Sequence, residues 1–510
     1  MNNFIQNIKN YYAQKPLQCI LFVALVFRLI AALFAKGYGM HDDHFLIIES
    51  SGSFSDGYDY NNWLPTSPGN QGPQGHSFFY MGLHYFLFVI LNAIGITSPD
   101  VKMHIVRIIH AVYSLAIVYF GYRIAFKYAG QKIASQVGWL LALLWFMPWL
   151  SVRNLVEFQC IPFLLWGLWI YIKKDNPTIK AIILSGLISG LAFSIRFQSI
   201  FFLVGFGLAL LFTKQFRNAV VWGITTVFMM LFVQGMIDFF VWGKPFMELQ
   251  EYIRYNIEAA NDYLKGGFFK YFGVILGILL PPVSVFLFWG FFARWRKYLL
   301  LFLPSFIFLL FHSLFVNKQE RFIFTIIPSV IILGVIGWNE FMVKRNHIKW
   351  LRSFIKGSWI FAIVINTVLL SVVTVHYSKK ARVETMLYLS KYDNITSLLT
   401  TQSTPMFPMF YLGEWIPRSS VNIEKVSTDI AKLKDEPRFI VATEKEIDKG
   451  IIDSLKTYYP EITFETKIIP NFVDHLLHTI NPRNSNETLI IYRNQKYFPE
   501  SIAEKQSKSR

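Results

Sequence analysis

Long apolar runs recur along most of this chain and constrain its fold more than any other feature. The first extends from Pro16 to Ala35, and others follow until about His376. An α-helix of about 17 to 25 apolar residues can cross the hydrocarbon layer of a bilayer. Only 16% of the 510 residues are charged, whereas soluble proteins carry about 25%. The sequence therefore predicts a polytopic α-helical membrane protein.

Basic residues between the apolar runs predict the topology, because lysine and arginine mark the loops that stay in the cytoplasm. They form five clusters, at Arg123/Lys127/Lys132, Lys173/Lys174/Lys180, Lys214/Arg217, Arg294/Arg296/Lys297 and Lys344/Arg345/Lys349/Arg352. The net charge of +17 is therefore ascribed to topology, and nucleic acid is not expected as a partner.

The segments that follow the first apolar run complete this topology. With the N-terminus inside, residues 36–76 form an outer loop. Only one crossing fits between this outer loop and the cytoplasmic cluster that begins at Arg123. We therefore expect the apolar run at 77–97 to lie along the outer face as an interfacial helix. This arrangement has about eleven transmembrane helices and an outer C-terminus.

The composition changes near residue 378, where polar and charged residues return and no later run could cross a bilayer. Strand-like and helical stretches alternate from there, which predicts a small α/β domain on the outer face. The strand-like runs are 409–412, 438–443, 462–469 and 488–492, and the helical stretches are near 423–434 and 445–458. The predicted domains are thus 1–377 in the membrane and 378–510 outside it, with a disordered tail from Glu504.

Acidic residues follow the first membrane helix, in the segment Met40-His-Asp-Asp-His-Phe-Leu-Ile-Ile-Glu49. Asp42 and Asp43 are adjacent, and Glu49 follows Asp42 by seven residues. Residues seven apart share one face of an α-helix, so Asp42 and Glu49 are predicted to point the same way. A solvated acidic helix is the alternative interpretation.

Two cations stand close together between apolar runs, in the segment Asn317-Lys-Gln-Glu-Arg-Phe322. Lys318 and Arg321 are three residues apart and can present two positive charges to one anion. The planar guanidinium of arginine donates two parallel hydrogen bonds to phosphate. Anchoring of a tight hairpin is the alternative role.

Four further charged residues lie at the outer ends of apolar runs: Asp238, Arg153, Glu157 and Arg196. Charge is costly at such positions and usually has a function, so we assign them to substrate binding. A structural ion pair is the alternative for each. The sequence contains no Walker motif, no Gly-rich phosphate loop and no His-Glu-x-x-His, so neither ATP nor a metal is expected.

These segments resemble glycosyltransferase family 22, the membrane α-mannosyltransferases of lipid-linked oligosaccharide and glycosylphosphatidylinositol assembly, within the GT-C superfamily. The family's first-loop pattern, His-Pro-Asp-Glu-x-Phe-Gln-x-x-Glu, is matched at Asp42, Asp43, Phe45 and Glu49. A second pattern, His-Lys-Glu-x-Arg-Phe followed by a Pro, is matched at Lys318, Arg321, Phe322 and Pro328. A third is matched at Asp238, Gly243, Lys244 and Asn256. The resemblance covers roughly residues 17–345.

The resemblance implies a GT-C-like fold and transfer of mannose, with inversion, from a polyprenyl-phosphate donor to a glycan or lipid-linked acceptor. Asp42 suits the base that takes the acceptor proton, with Asp43 beside it as a second catalytic candidate. Lys318 and Arg321 suit the leaving phosphate, with Arg196 as a helper, and Glu49 is assigned to the substrate. No cofactor is implied, and the active face would be extracytoplasmic, either periplasmic or lumenal.

Two other functions remain open at this point. A related GT-C enzyme could move another lipid-linked sugar, and the pattern at 318–322 favours mannose over this. A transporter of lipids or glycans would carry ionisable residues near the membrane midplane and a two-fold repeat of helices. The sequence instead has charges at the outer helix ends and no such repeat.

Overall fold

The computed structural model describes residues 2–60, 64, 72–259, 265–433 and 435–504. The chain divides into two compact units. The first comprises Met1–Ala35, Gln71–Leu83 and Ile105–Val375, and the second comprises Lys36–Asn70, His84–His104 and His376–Arg510. The C-terminal part of the second unit begins at His376, close to the predicted boundary at residue 378. The unit also includes residues 36–70 and 84–104. Of the predicted disordered tail, 505–510 lie outside the described residues.

Helices make up the chain as far as Thr374. The α-helices are Asn2–Gln14, Pro16–Phe34, His41–His44, Ser50–Asp56, Phe78–Ala93, Pro99–Tyr113, Leu115–Leu143, Met147–Ser151, Val156–Gln159, Ile161–Ile172, Ile179–Ile195, Ile200–Phe212, Phe216–Met230, Met236–Trp242, Met247–Glu258, Lys270–Ile278, Val283–Ala293, Leu299–Leu314, Ile327–Val343 and Lys349–Thr374. Phe45–Glu49 and Leu231–Gly235 are π-helices, and Phe197–Ser199 and Glu320–Ile326 are 3-10 helices.

Several of these helices are long and apolar enough to cross a membrane. Five qualify by length and composition: Pro16–Phe34, Pro99–Leu143, Phe216–Trp242, Glu320–Val343 and Lys349–Thr374. Six shorter apolar helices accompany them, among them Phe78–Ala93. The chain is therefore a multi-pass integral membrane protein. The number of eleven crossings, the interfacial position of 77–97 and the outer placement of the C-terminal part stay predictions.

Two sequence-based boundaries differ from the structure. The basic residues Arg123, Lys127 and Lys132 lie within Leu115–Leu143 rather than in a separate loop, but this helix is interrupted at Gly130, where φ is +76°. The apolar stretch 268–293, which the sequence favours as one helix, forms the two helices Lys270–Ile278 and Val283–Ala293 on either side of Pro281-Pro282. Proline lacks the N–H that would continue a helix.

Small residues allow the helices of the first unit to approach closely. The helix Ile327–Val343 is buried throughout from Ile327 to Gly337 and packs against Val283–Ala293. A Cβ atom on Gly290 would come within 2.2 Å of the Gly334 carbonyl oxygen. Backbones that meet at glycine gain dispersion contacts over a wide area, a common basis of helix association in membranes.

A buried arginine joins both ends of Leu115–Leu143 to the helix Pro16–Phe34 of the same unit. Arg28 donates from Nε to Ser114 Oγ at 3.1 Å and from its other nitrogens to the carbonyl oxygens of Ala142 and Leu141, both at 3.2 Å. These carbonyls lie at the C-terminal end of Leu115–Leu143, where the helix dipole favours a cation. The charge is thus stabilised inside an otherwise apolar helix.

The second unit contains a five-stranded mixed sheet. Its strands are β1 (Leu398–Thr401), β2 (Arg418–Val421), β3 (Phe439–Thr443), β4 (Ile462–Ile468) and β5 (Leu489–Asn494), in the order β2-β1-β3-β5-β4. β1 pairs in parallel with β2 and β3, and β5 pairs antiparallel with β3 and β4. Helices such as Ile451–Lys456 cover the sheet and complete its apolar core.

The predicted α/β character is present, although one predicted strand is wrong. Met409–Tyr411 forms a buried 3-10 turn, and β1 and β2 were not predicted. Strands of four residues contain too little alternation to be distinguished from a buried loop. The start of the unit is joined to its C-terminal part, since Ser378 N donates to Lys36 O at 3.2 Å.

Candidate active site

The acidic segment of the second unit begins with a short helix that Asp43 stabilises. Its carboxylate oxygens accept hydrogen bonds from Gly39 N at 3.1 Å and Met40 N at 2.9 Å. Asp43 stands at the third position of the helix His41–His44, where a carboxylate commonly bonds to the capping residue. This side chain is buried, so its oxygens serve the backbone.

Asp42 and Glu49 have different environments. Asp42 is half-buried, whereas Glu49 is fully buried and accepts a hydrogen bond from Phe410 N at 3.3 Å. Between them lies the π-helix Phe45–Glu49, which turns less per residue than an α-helix. The α-helical offset of seven residues, on which the predicted common face rested, therefore does not apply. Of the three carboxylates, Asp42 is the one that a solute can reach.

A buried histidine completes this part of the second unit. The His44 ring lies between those of Tyr38 and Tyr411, with centroids 4.9 and 5.4 Å away. Its Nε2 is 3.7 Å from Glu49 Oε1, and within the described residues neither ring nitrogen has a hydrogen-bond partner. His44 could not be singled out from the sequence, because one of the two stacked rings, Tyr411, is distant in the chain.

In the first unit, three of the predicted charged residues come together. Arg196 Nη2 is 3.8 Å from Glu157 Oε1, and Arg321 Nε is 3.7 Å from the same oxygen. Glu157 and Arg196 are almost entirely buried. We call these three residues the arginine cluster. Among these three residues, two guanidinium groups thus share one carboxylate, in a site with little access to water.

The remaining contacts of the arginine cluster are polar but incomplete. Arg196 donates to Gln198 Oε1 at 2.7 Å, to the Phe322 carbonyl oxygen at 3.2 Å and to Thr325 Oγ1. Arg196 Nη2 and Glu157 Oε2 are buried and make no hydrogen bond within the part of the chain that the structure describes. A buried donor without a partner costs about 1–3 kcal/mol, so this site is suited to a ligand that accepts hydrogen bonds.

Aromatic residues enclose the cluster. The Arg196 guanidinium lies 5.4 Å from the ring centroid of Phe308, and that of Arg321 lies 5.5 Å from Phe322. Tyr252 hydrogen-bonds to Gln198, and burial raises the pKa of its hydroxyl well above the usual value. Tyr252 was missed in the sequence because tyrosine is common throughout this chain. The aromatic surroundings strengthen the field of the two cations by keeping water away.

Lys318 lies in the same unit but has a different task. Its ammonium donates to the carbonyl oxygens of His312 at 2.5 Å, of Ser313 at 2.7 Å and of Phe315. These are the last carbonyls around the end of Leu299–Leu314, so Lys318 caps this helix. Burial, and secondarily the charge of Lys270, lower its pKa. With its three donors engaged, Lys318 is not arranged as a second phosphate ligand beside Arg321, and its predicted role stays a prediction.

Asp238 and Arg153, the two other predicted residues, have separate surroundings. Asp238 accepts from Gln234 Nε2 at 2.8 Å and from Glu248 N at 3.1 Å. The Arg153 guanidinium lies 4.4 Å from the ring centroid of Trp149. Both side chains are buried. The structure gives each a packing role, and their assignment to substrate stays a prediction.

Glu248 is a buried carboxylate that the sequence analysis did not select. It accepts hydrogen bonds from Gly75 N at 2.7 Å, His76 N at 3.0 Å and Trp242 Nε1 at 2.9 Å. Burial, with a smaller contribution from the charge of Asp238, raises its pKa to about 7. Among the described residues, no three His, Cys, Asp or Glu side chains are grouped so as to hold a metal ion.

Comparison with known families gives one match. The family model described as the Alg9-like mannosyltransferase family matches residues 19–406. This range includes the acidic segment, the arginine cluster and Lys318. A comparison with curated proteins gives no match.

Solved structures share the fold at low sequence identity. ArnT from Cupriavidus metallidurans, solved with undecaprenyl phosphate bound, is 12% identical with a TM-score of 0.58, covering 93% of this chain and 97% of its own. The same protein in its apo state is 13% identical with a TM-score of 0.56, covering 94% and 98%. The oligosaccharyltransferase of Archaeoglobus fulgidus, in complex with Zn and sulfate, is 11% identical with a TM-score of 0.54, covering 88% and 72%. The fold is therefore GT-C-like.

Proposed function

We propose that this chain, which belongs to the Alg9-like mannosyltransferase family, transfers a mannosyl residue from a polyprenyl-phosphate carrier to a hydroxyl of a glycan or lipid-linked acceptor. Family membership makes it a membrane glycosyltransferase. The donor, the acceptor and the stereochemistry are the proposed part. We place the reaction on the extracytoplasmic face, where a lipid-linked sugar is accessible without a nucleotide donor.

The arginine cluster carries this proposal. Arg196 and Arg321 share the single carboxylate of Glu157, and Arg196 Nη2 is buried without a hydrogen bond among the described residues. A phosphate monoester supplies the missing acceptor oxygens and balances the surplus charge, and charge-assisted hydrogen bonds of this kind are strong. The structurally similar ArnT was solved with a polyprenyl phosphate bound, and we propose a ligand of that class for these arginines.

The reaction needs a base and a leaving group. The acceptor oxygen forms a bond with the anomeric carbon while the bond from that carbon to the phosphate oxygen breaks, which inverts the configuration. The acceptor proton passes to Asp42, and the lipid phosphate departs with the bonding electron pair. A phosphate leaving group needs no acid near neutral pH, so a second catalytic carboxylate is unnecessary, unlike in retaining glycosidases. We expect the chemistry to proceed without a metal.

Arginine variants test the phosphate site. Arg321→Ala should reduce the use of labelled polyprenyl-phosphate mannose by roughly 10- to 150-fold, the worth of one charge-assisted hydrogen bond. Arg321→Lys should restore only part of this, because the fork geometry is lost. Arg254→Ala is the matched control, since Arg254 is exposed and pairs with Glu251 and Glu258.

The readout is the initial rate against donor concentration, with the purified protein in lipid vesicles. Unchanged donor dependence in both Arg321→Ala and Arg196→Ala would move the leaving-group site elsewhere. The same assay with polyprenyl-phosphate glucose or arabinose tests the sugar, and faster transfer of either would replace mannose in the proposal.

A further inference from the structure

The helix Phe472–Ile480 of the second unit has its apolar side facing outward. Phe472 is 74% exposed, Leu476 is 46% exposed and Ile480 is 73% exposed. These residues follow one another at intervals of four, so they form one stripe on the helix surface, with Leu477 exposed at its edge. We call these four residues the apolar stripe. A helix of a water-soluble domain normally has the opposite orientation.

The inward side of this helix is polar. Asp474 is buried, accepts a hydrogen bond from Lys380 N at 3.3 Å and lies 3.5 Å from His376 Nε2. One turn further on, His478 Nε2 is 3.3 Å from Glu487 Oε1. Polar contacts therefore hold the opposite side of the helix against the rest of the unit, and the apolar stripe faces outward.

The helix is tied to residues that follow apolar helices in the sequence. Lys349–Thr374, which is long and apolar enough to cross a bilayer, ends two residues before His376. His376 also contacts Asn471, the capping residue of Phe472–Ile480, with 3.4 Å between His376 Nδ1 and Asn471 Oδ1. Ser378 in turn bonds to Lys36, two residues after Pro16–Phe34. The two chain segments in these contacts thus directly follow helices that are able to cross a bilayer.

A second exposed stripe of the same kind occurs in this unit. Phe86 is 64% exposed, Ile90 is 59% exposed and Ile94 is 65% exposed, again at intervals of four. The sequence analysis expects this segment at the membrane interface. Two outward apolar stripes in one unit are explained together if the unit rests on a lipid surface.

We propose that the apolar stripe of Phe472–Ile480 inserts into the headgroup region of the phospholipid bilayer and seats the second unit on the membrane. Helices of this kind bury their apolar face about 5–10 Å into the boundary between headgroups and acyl chains. A second copy of the chain fits the apolar stripe less well as a partner. A nine-residue helix is about 13 Å long, which is small for the roughly 800 Å² that each partner buries in a standard interface.

Lipid quenching of a fluorescent label tests this directly. The full chain carries Cys19→Ser, since Cys19 is half-buried, and keeps Cys160, which is buried. A bimane label on Leu476→Cys, and in a second variant on Ile480→Cys, reports the stripe in reconstituted vesicles. The matched control is Ser454→Cys, since Ser454 is exposed on the polar side of Ile451–Lys456 in the same unit.

Lipids with a spin label high on the acyl chain should quench both stripe labels, and lipids labelled near the chain end should quench them less. The Ser454→Cys label should keep its emission with both lipids. Equal emission at all three sites would overturn the proposal. Emission losses that grow with protein density and are independent of the spin-labelled lipid would also overturn it, because they indicate contact between copies.

Discussion

Asparagine substitutions at the two adjacent aspartates should have opposite effects on rate and on stability. Asp42→Asn keeps the shape of the side chain but cannot accept a proton at neutral pH. Loss of a general base costs about 10²–10⁴ in rate. Because Asp42 is half-buried and asparagine keeps its size and an acceptor oxygen, this substitution should leave the thermal midpoint of unfolding almost unchanged.

Asp43→Asn should instead weaken the fold. Both carboxylate oxygens of Asp43 accept backbone N–H groups, from Gly39 and Met40. An amide retains one acceptor oxygen and turns its NH₂ group towards the other N–H, so a part-buried donor loses its acceptor at a cost of up to about 1–3 kcal/mol. The midpoint of unfolding should fall by a few degrees, on the order expected for such a loss, while the correctly folded fraction keeps most of its rate.

The assay measures transfer from labelled polyprenyl-phosphate mannose, normalised to folded protein, beside thermal unfolding of the same preparations in detergent. Asp42→Glu provides a control that retains a carboxylate. The reasoning is refuted if Asp43→Asn abolishes transfer at an unchanged midpoint while Asp42→Asn remains fully active. Full activity in both variants would show that this segment takes no part in the reaction.

Three further perturbations follow from the geometry. Lys318→Met should lower the midpoint of unfolding, because three carbonyls lose a charged hydrogen-bond partner worth about 1.5–3 kcal/mol. The dependence of the rate on the concentration of the sugar donor should stay unchanged. Weaker use of the sugar donor at full stability would instead assign Lys318 to binding of the phosphate. Gly290→Ala should destabilise the protein, because a Cβ would come within 2.2 Å of a backbone oxygen, whereas Gly223→Ala, with nothing within 4 Å, should be neutral by thermal unfolding. Glu248 has its pKa raised from 4.5 to about 7 in the folded protein, so stability should fall as pH rises from 4.5 to 7, by on the order of 3 kcal/mol. In Glu248→Gln the midpoint of unfolding should depend less on pH. An unchanged dependence would mean that another group is responsible for it.

The helical membrane architecture could be read from the sequence because it depends on composition and length. Hydrocarbon tolerates few structures other than long apolar helices, so the first predicted run, Pro16 to Ala35, corresponds closely to the helix Pro16–Phe34. The residues at which helices begin and end were harder to predict from the sequence. Gly130 interrupts a helix that carries three basic residues, and Pro281-Pro282 divides a run that looks continuous.

The candidate site was predicted in part. A motif pattern selected Arg321, and positions at the ends of apolar runs selected Glu157 and Arg196. The three meet in the structure although they are separated by up to 164 positions in the numbering. The sequence could not distinguish Arg321 from Lys318, since the latter's task is set by the carbonyls at the end of a neighbouring helix. His44 and Tyr252 gave no signal, because their surroundings are assembled from remote parts of each unit.

The π-helix Phe45–Glu49 gives this segment one residue more than a regular α-helix would need. A π-helix corresponds to one extra residue accommodated within an α-helix. Removing one residue within Phe45–Glu49 should therefore let the segment wind as a regular α-helix and leave the orientation of Asp42 relative to Ser50–Asp56 nearly unchanged. A deletion within Ser50–Asp56 would instead turn the preceding residues by roughly 100°, the rotation of one residue in an α-helix. Sequence alignments across the segment need a gap at the π-helix wherever a relative lacks it.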